Sequence, residues 1–380
     1  MSALDDSVCV QVPATPLDEK KTLIEGNTEK FVVDEVSGWL RVFSDGTVDR
    51  TWTGPPEVQF LATPYFPSSA NAAADGVTVH DLTVDTFSGL ALRVYLPAGS
   101  EAEVGEHFPV LLHFHGGGFC ISRPSWHMYY QFYARLAAAT GAAVVSVYTR
   151  PAPEHRLPAA VDDCFAGLLW LRSLAQSPPP PAAAASSSGD HPAVAALRRR
   201  GDFSRVFLIG ESSGGNLVHE VAALAGRQED DFWAPLRLAG AVPIHPGFVR
   251  STRSRSEMDC SLETPFLTLD MLDKFLYLAL PEGATKDHPI TCPMGPQAPE
   301  MAGLRMPPVM VVVAERDLIR DTEMEYCEAM KAAGKEVEVV EESGVGHSFY
   351  LNKLAVDFDP HVGSQTAALI ESIKDFVNRH

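Results

Sequence analysis

The chain has 380 residues, 46% of them apolar, and a formal net charge of −19; that suits one large α/β domain or two small ones, and with no basic run to offset the acidity it argues against nucleic acid or an anionic membrane as partner. No apolar stretch reaches the ~18 residues of a membrane span, and the first 21 residues lack the basic start and apolar core of a signal peptide. Six dispersed cysteines (Cys9, Cys120, Cys164, Cys260, Cys292, Cys327), with no CxxC spacing, read as reduced thiols of a cytoplasmic protein, a nuclear location being compatible.

In chain order, the first 20 or so residues carry no periodic pattern. "EKFVVDEVSGWLRVF" (29–43) then places Phe31, Val32, Val33, Val36, Trp39 and Leu40 ahead of any core strand, so residues 1–43 are expected to form an N-terminal cap and 44–380 the main domain. "VTVHDLTVD" (77–85) and "LALRVYLP" (90–97) alternate with period two around a turn and read as a hairpin. Five continuous apolar runs follow, at 108–115, 142–149, 205–210, 238–246 and 307–315, and a sixth at 336–342 alternates more. Helical patterns fill the gaps at 125–139, 159–174, 214–226, 268–280, 321–333 and 364–379. Buried strands alternating with helices predict a mainly parallel sheet covered on both faces, with the hairpin antiparallel at one edge.

Two segments stand outside that alternation. "SPPPPAAAASSSGDHPA" (177–193) has no apolar periodicity and is expected to be a disordered surface insertion. "PFLTLDMLDKFLYLALP" (265–281) carries Leu269, Leu272, Phe275, Leu276 and Leu280 at helical spacing. It either packs on the sheet or, together with the N-terminal segment, roofs an apolar pocket.

The chemistry concentrates in "RVFLIGESSGGNLVHE" (205–220), where Gly210, Ser212 and Gly214 form G-x-S-x-G between an apolar strand and an amphipathic helix. A turn this tight lifts a serine hydroxyl clear of the sheet and needs small neighbours because strand and helix crowd there. A plain glycine-rich turn is the alternative; a phosphate loop is disfavoured because no Lys-[Ser/Thr] follows. A serine nucleophile requires a base and an oxyanion site. "HFHGGGF" (113–119) offers the N–H groups of Gly117 and Gly118, and Ser213 a third, with Gly116 and Phe119 beside them. The order Ser–acid–His then selects Asp317, just past a buried strand, and His347, in a Gly-Val-Gly-His bend after the last strand. Asp321 competes for the acid but reads better as an N-cap or first-turn residue of the next helix. His113 and His115 share a strand face without a further ligand cluster, so no metal is inferred, and His115 reads as ordering the glycine loop.

Together these residues resemble the plant carboxylesterase family, in the hormone-sensitive-lipase-like branch of the α/β hydrolases. The likeness runs from about Val36 to the C-terminus through "SGWLRVFSDGTVDR", "HGGGF", "APEHRLPAAVDD" (152–163), "GESSGGN", "RDLIRD" and "GHSFY". One departure is visible: Tyr148-Thr149-Arg150-Pro151 stands where the family usually reads D-Y-R-L. The resemblance implies an α/β-hydrolase fold with a mainly parallel eight-stranded sheet and a cap, a Ser212–Asp317–His347 triad, and no metal or cofactor. It implies a serine carboxylesterase; the apolar segments at 29–43 and 265–281, if they roof the site, make the substrate a small, mainly hydrophobic ester, with a pocket expected to include Trp39, Leu272, Phe275 and Leu276. The same family holds gibberellin receptors that have lost the catalytic histidine, hydroxyisoflavanone dehydratases, and relatives that hydrolyse or sequester strigolactones. A hormone-like ligand bound with slow or no hydrolysis is therefore the alternative, and the presence of His347 favours the enzyme.

Overall fold

The continuous apolar runs need partners on both sides, and the fold supplies them. In the computed structural model, which describes residues 30–85, 89–100, 106–177 and 191–380, the chain first forms three short strands, β1 (Val32–Val36), β2 (Leu40–Phe43) and β3 (Val48–Asp49). The hairpin follows as β4 (Val77–Asp85) and β5 (Leu90–Pro97). The remaining runs become β6 (Phe108–Phe114), β7 (Ala143–Val147), β8 (Gly201–Glu211), β9 (Leu238–Ile244), β10 (Val309–Arg316) and β11 (Val337–Gly346). Eight of them build one sheet in the order β11-β10-β9-β8-β6-β7-β5-β4. The pairs β4/β5 and β5/β7 are antiparallel and all others parallel, as the sequence pattern predicts. Every residue of β6 and β7 is buried, whereas edge strands β4 and β11 mix buried and exposed positions, the signature of strands covered on one side only.

The expected helices are present as His127–Thr140, Ala159–Gln176, Ser213–Ala225, Leu269–Ala279, Arg320–Ala332 and Pro360–Arg379. The last begins four residues before its apolar periodicity. Asp359 caps it by accepting the N–H groups of His361 and Val362, and Pro360 takes the first turn, where its missing N–H costs nothing. No helix among the described residues is long and apolar enough to cross a membrane.

Two expectations are corrected. The insertion was expected to end at residue 193, but Pro192 and Ala193 already belong to a helix, Pro192–Arg200. The His191 side chain caps it, and Ala193, Ala196 and Leu197 are buried; residues 178–190 lie outside the described residues. The N-terminal segment is an antiparallel sheet, β1-β2-β3, and it runs to Asp49, beyond the boundary expected at residue 43. Its Trp39 packs edge-on against Trp52 and stacks on Trp126.

The strand order fixes where a site can form. The chain leaves β6 toward β7 on one side and returns to β8 on the other. The two glycine-rich loops after β6 and β8 therefore lie side by side, in register Phe114↔Gly210, at the switch point where open α/β sheets bind ligands.

Candidate active site

β8 ends at Glu211 and a helix starts at Ser213, so Ser212 takes the whole bend, with φ 54° and ψ −125°. That backbone is costly for a residue with a side chain and persists only when its surroundings enforce it. Here they do. Ser212 donates its N–H to the carbonyl of Ile244 (3.0 Å), and its own carbonyl accepts the N–H groups of Gly247 (3.0 Å) and Gly215 (2.8 Å). A Cβ on Gly214 would lie 2.0 Å from the carbonyl oxygen of Phe114, so no other residue lets the helix approach β6 this closely.

The residues expected as acid and base follow β10 and β11. Arg316 of β10 pairs with Gly346 of β11, which brings the following residues, Asp317 and His347, together. His347 donates Nδ1–H to Asp317 Oδ2 at 2.7 Å, leaving Nε2 as the basic nitrogen of the neutral ring. The other Asp317 oxygen accepts the Ile319 N–H (3.1 Å). Burial alone would raise the Asp317 pKa; the charge and hydrogen bond of His347, the nearby His245 and the Ile319 N–H outweigh it and hold the carboxyl below its ordinary value. Asp321 is engaged elsewhere. It lies in the first turn of Arg320–Ala332, where Ile319 holds the N-cap position, and exchanges hydrogen bonds with Ser256.

Ser212 and His347 face a common cavity. Gly116, Gly117, Gly118, Phe119 and Ser213 line it, as do Trp39, Leu272, Phe275 and Leu276. Asp317 is the one expected site residue outside the lining, behind His347. The N–H groups of Gly117, Gly118 and Ser213 have no acceptor among the described residues, whereas that of Phe119 is engaged by Ser213 Oγ (3.2 Å). The cap presses on this loop: a Cβ on Gly118 (φ +58°) would come within 2.4 Å of the Phe275 ring.

The loop is held from both sides of Gly116. Its N–H donates to Glu211 Oε1 (2.6 Å), and its carbonyl accepts from Ser122 Oγ (2.7 Å) and His115 Nδ1 (2.9 Å). Nδ1 of His115 thus carries the proton and Nε2 accepts the Thr149 hydroxyl (3.0 Å). Burial pushes His115 down to about 4, so the ring stays neutral near pH 7. The Tyr148-Thr149 departure therefore feeds into the loop's support. Glu211 is fully buried beside Ser212 and also meets His113 Nε2 (3.2 Å) and Tyr133 OH (2.5 Å). Burial opposes its ionisation, but His113 and the donors from Tyr133 and Gly116 outweigh that and lower its pKa. His113 and His115 point to different partners. The metal-ligand-type cluster among the described residues is instead His245, Asp317 and His347; in it His347 Nδ1 and Asp317 Oδ2 bond each other and His245 Nδ1 accepts the Ser348 N–H. Sequence reasoning missed Glu211 and His245. An acid placed between Gly210 and Ser212 in a buried bend was the available signal for the first.

Residues 111–351 match a family model described as the alpha/beta hydrolase fold. Probable carboxylesterase 6 of Arabidopsis thaliana is 33% identical over 321 residues, 84% of this chain and 85% of that protein. Gibberellin receptor GID1C of the same plant is 35% identical over 349 residues, 88% of this chain and 91% of the receptor. Among solved structures, an esterase from Pyrobaculum calidifontis superposes with a TM-score of 0.58 at 27% identity, covering 78% of this chain and 85% of that one. The chain belongs to the α/β-hydrolase fold family, in the branch that holds plant carboxylesterases and gibberellin receptors.

Proposed function

We propose that the protein is a serine carboxylesterase acting on small, mainly hydrophobic esters. Ser212 attacks the ester carbonyl while His347 Nε2 takes its proton, and His347 then returns that proton to the leaving alcohol. Asp317 holds the imidazole in the required tautomer and stabilises its charged form. The N–H groups of Gly117, Gly118 and Ser213 receive the oxyanion. Water, activated by His347, releases the acid from the acyl-enzyme. The observation that carries this reading is the His347–Asp317 bond of 2.7 Å behind a cavity that His347 shares with Ser212. The apolar wall made by Trp39, Phe119, Leu272, Phe275 and Leu276 supports a hydrophobic substrate, with residues 1–43 contributing to the cap. A cytoplasmic location belongs to the same proposal, supported by the free thiols of Cys120, Cys164, Cys260, Cys292 and Cys327.

The test is hydrolysis of a p-nitrophenyl ester by wild type and Ser212→Ala, with mass-spectrometric location of a serine-reactive phosphonate. Turnover lost in the variant and label on Ser212 are the expected results. Tight binding of a hormone-like ligand without turnover is the outcome that favours the second reading, a receptor or sink, which the similarity to the gibberellin receptor motivates.

A further inference from the structure

Nucleophile and base stand on strands that do not touch. In the sheet order β11-β10-β9-β8, His347 follows β11 and Ser212 follows β8, with two strands between them. Asp317, after β10, fixes the His347 ring but reaches no part of Ser212. The remaining strand, β9, ends at Ile244, and the next residue is His245.

His245 is fully buried and has φ 43°, a left-handed backbone that a non-glycine residue adopts only when held there. Its flanking backbone grips the nucleophile: the Ile244 carbonyl accepts the Ser212 N–H, and the Gly247 N–H donates to the Ser212 carbonyl, each at 3.0 Å. Its own N–H donates to Val312 of β10 (2.9 Å). Its side chain reaches the base loop, where Nδ1 accepts the N–H of Ser348, next to His347, at 2.9 Å. A nitrogen that accepts carries no proton, so the neutral ring bears its hydrogen on Nε2. Nε2 lies 3.5 Å from Glu342 Oε2, slightly long for a hydrogen bond. Neither Nε2 nor the Glu342 carboxylate has another partner among the described residues.

We infer that His245 is a positioning residue, a cross-tie that sets the separation of Ser212 and His347: its neighbours Ile244 and Gly247 hold the Ser212 peptide, its Nδ1 holds the Ser348 N–H, and Glu342 fixes the tautomer. It does not line the cavity, so it acts on the reaction through Ser212 and His347. The four neighbouring strands β8 to β11 then each deliver one residue to the apparatus: Ser212, His245, Asp317 and His347.

This rests on the esterase reading and is tested separately from it. kcat, KM and melting temperature are measured with p-nitrophenyl butyrate for His245→Leu, which removes the acceptor, and His245→Asn, whose Oδ1 falls near the position of Nδ1 and can take the Ser348 N–H. Leu is expected to lower kcat on the order of 10- to 100-fold with KM within about twofold, because small misplacement of reacting groups is costly. Asn is expected to restore kcat to within about threefold of wild type. Should His245→Leu fail to fold, Glu342→Met takes its place, with a kcat loss of about 3- to 10-fold at unchanged KM and rescue by Glu342→Gln. A folded His245→Leu or Glu342→Met with wild-type kcat overturns the inference while leaving the esterase reading intact. Failure of the wild type itself to turn over the ester overturns both.

Discussion

Replacing Asp317 by Asn tests the acid assignment, and its size follows from the site. His347 and Asp317 are both buried, with Nδ1 and Oδ2 2.7 Å apart, which puts the charge centres roughly 4 Å apart when the imidazole is protonated. At an effective dielectric of about 20 such a pair is worth about 4 kcal/mol. That energy is gained mainly as the imidazolium forms in the transition state, so its loss converts to a fall in kcat on the order of 10³-fold. An asparagine amide that turns its NH2 toward Nδ1 would also favour the wrong tautomer and deepen the loss. Asp321→Asn is the control. Asp321 accepts the Ser256 N–H at 2.9 Å, a role an asparagine oxygen fills, so kcat should stay within about threefold of wild type. The assay is steady-state hydrolysis of p-nitrophenyl acetate, with melting temperatures to show that both variants are folded. Equal losses in the two variants, or an Asp317→Asn enzyme within tenfold of wild type, would refute the assignment.

Ser212→Ala and His347→Ala should each reduce turnover on the order of 10³-fold or more, and the double variant should be little worse, since the groups act as a unit; multiplicative losses in the same ester assay would count against that. Glu323 is fully buried with neither carboxylate oxygen paired among the described residues, and burial, then the charge of Asp317, pushes its pKa well above the ordinary value. The folded state therefore keeps a proton that the unfolded chain releases above its ordinary glutamate pKa of about 4.5, so wild-type stability falls with rising pH by up to ~1.4 kcal/mol per unit. Glu323→Gln removes that dependence, and its melting-temperature advantage should widen from pH 5 to pH 8; a gap independent of pH sinks the argument. Deleting residues 1–43 removes β1, β2 and Trp39. It should weaken binding of a bulky ester more than attack on an acetate ester, whereas a proportional loss on both, with a lowered melting temperature, would mark a general folding defect.

The sheet was legible because its signal is local. A run such as "FPVLLHF" is buried at every position, and a short apolar run between turn signals suits a strand covered on both faces. The glycine motifs were legible for a similar reason: Gly214 has a carbonyl 2.0 Å from where its Cβ would stand, so the constraint appears directly in the residue type. The short strands β1 to β3 were not legible. Val32 and Val33 are both exposed, so β1 shows no period-two alternation. The helix Pro192–Arg200 was hidden by the low complexity before it, although Pro at its start and three arginines in its last turn are ordinary helix-end signals. The bend at Ser212 marked Glu211 only as a buried acid, and nothing local marked His245 as a support of the site. Their roles are set by partners 95 and 103 residues away in the chain, Gly116 and Ser348, and no local pattern encodes such a contact.

The supports also explain why cap and chemistry are expected to be hard to separate in this protein. Arg50, just past the N-terminal sheet, donates to the carbonyls of Cys120 (2.7 Å) and Ala152 (2.8 Å) and pairs with Glu154. It thereby joins the glycine loop to the segment that follows β7. Phe275, from the helix Leu269–Ala279, fills the space beside Gly118, and its carbonyl accepts from Cys120 Sγ at 3.6 Å. The same short loop thus carries the N–H groups proposed to receive the oxyanion on one side and the contacts of Arg50 and Phe275 on the other. A side chain that reshapes the apolar wall is expected to move the proposed oxyanion donors with it, because close packing transmits strain. Hydrogen-bond geometry at a developing charge is far less forgiving than apolar contact. Substitutions at Phe275 are therefore expected to register in kcat as strongly as in KM.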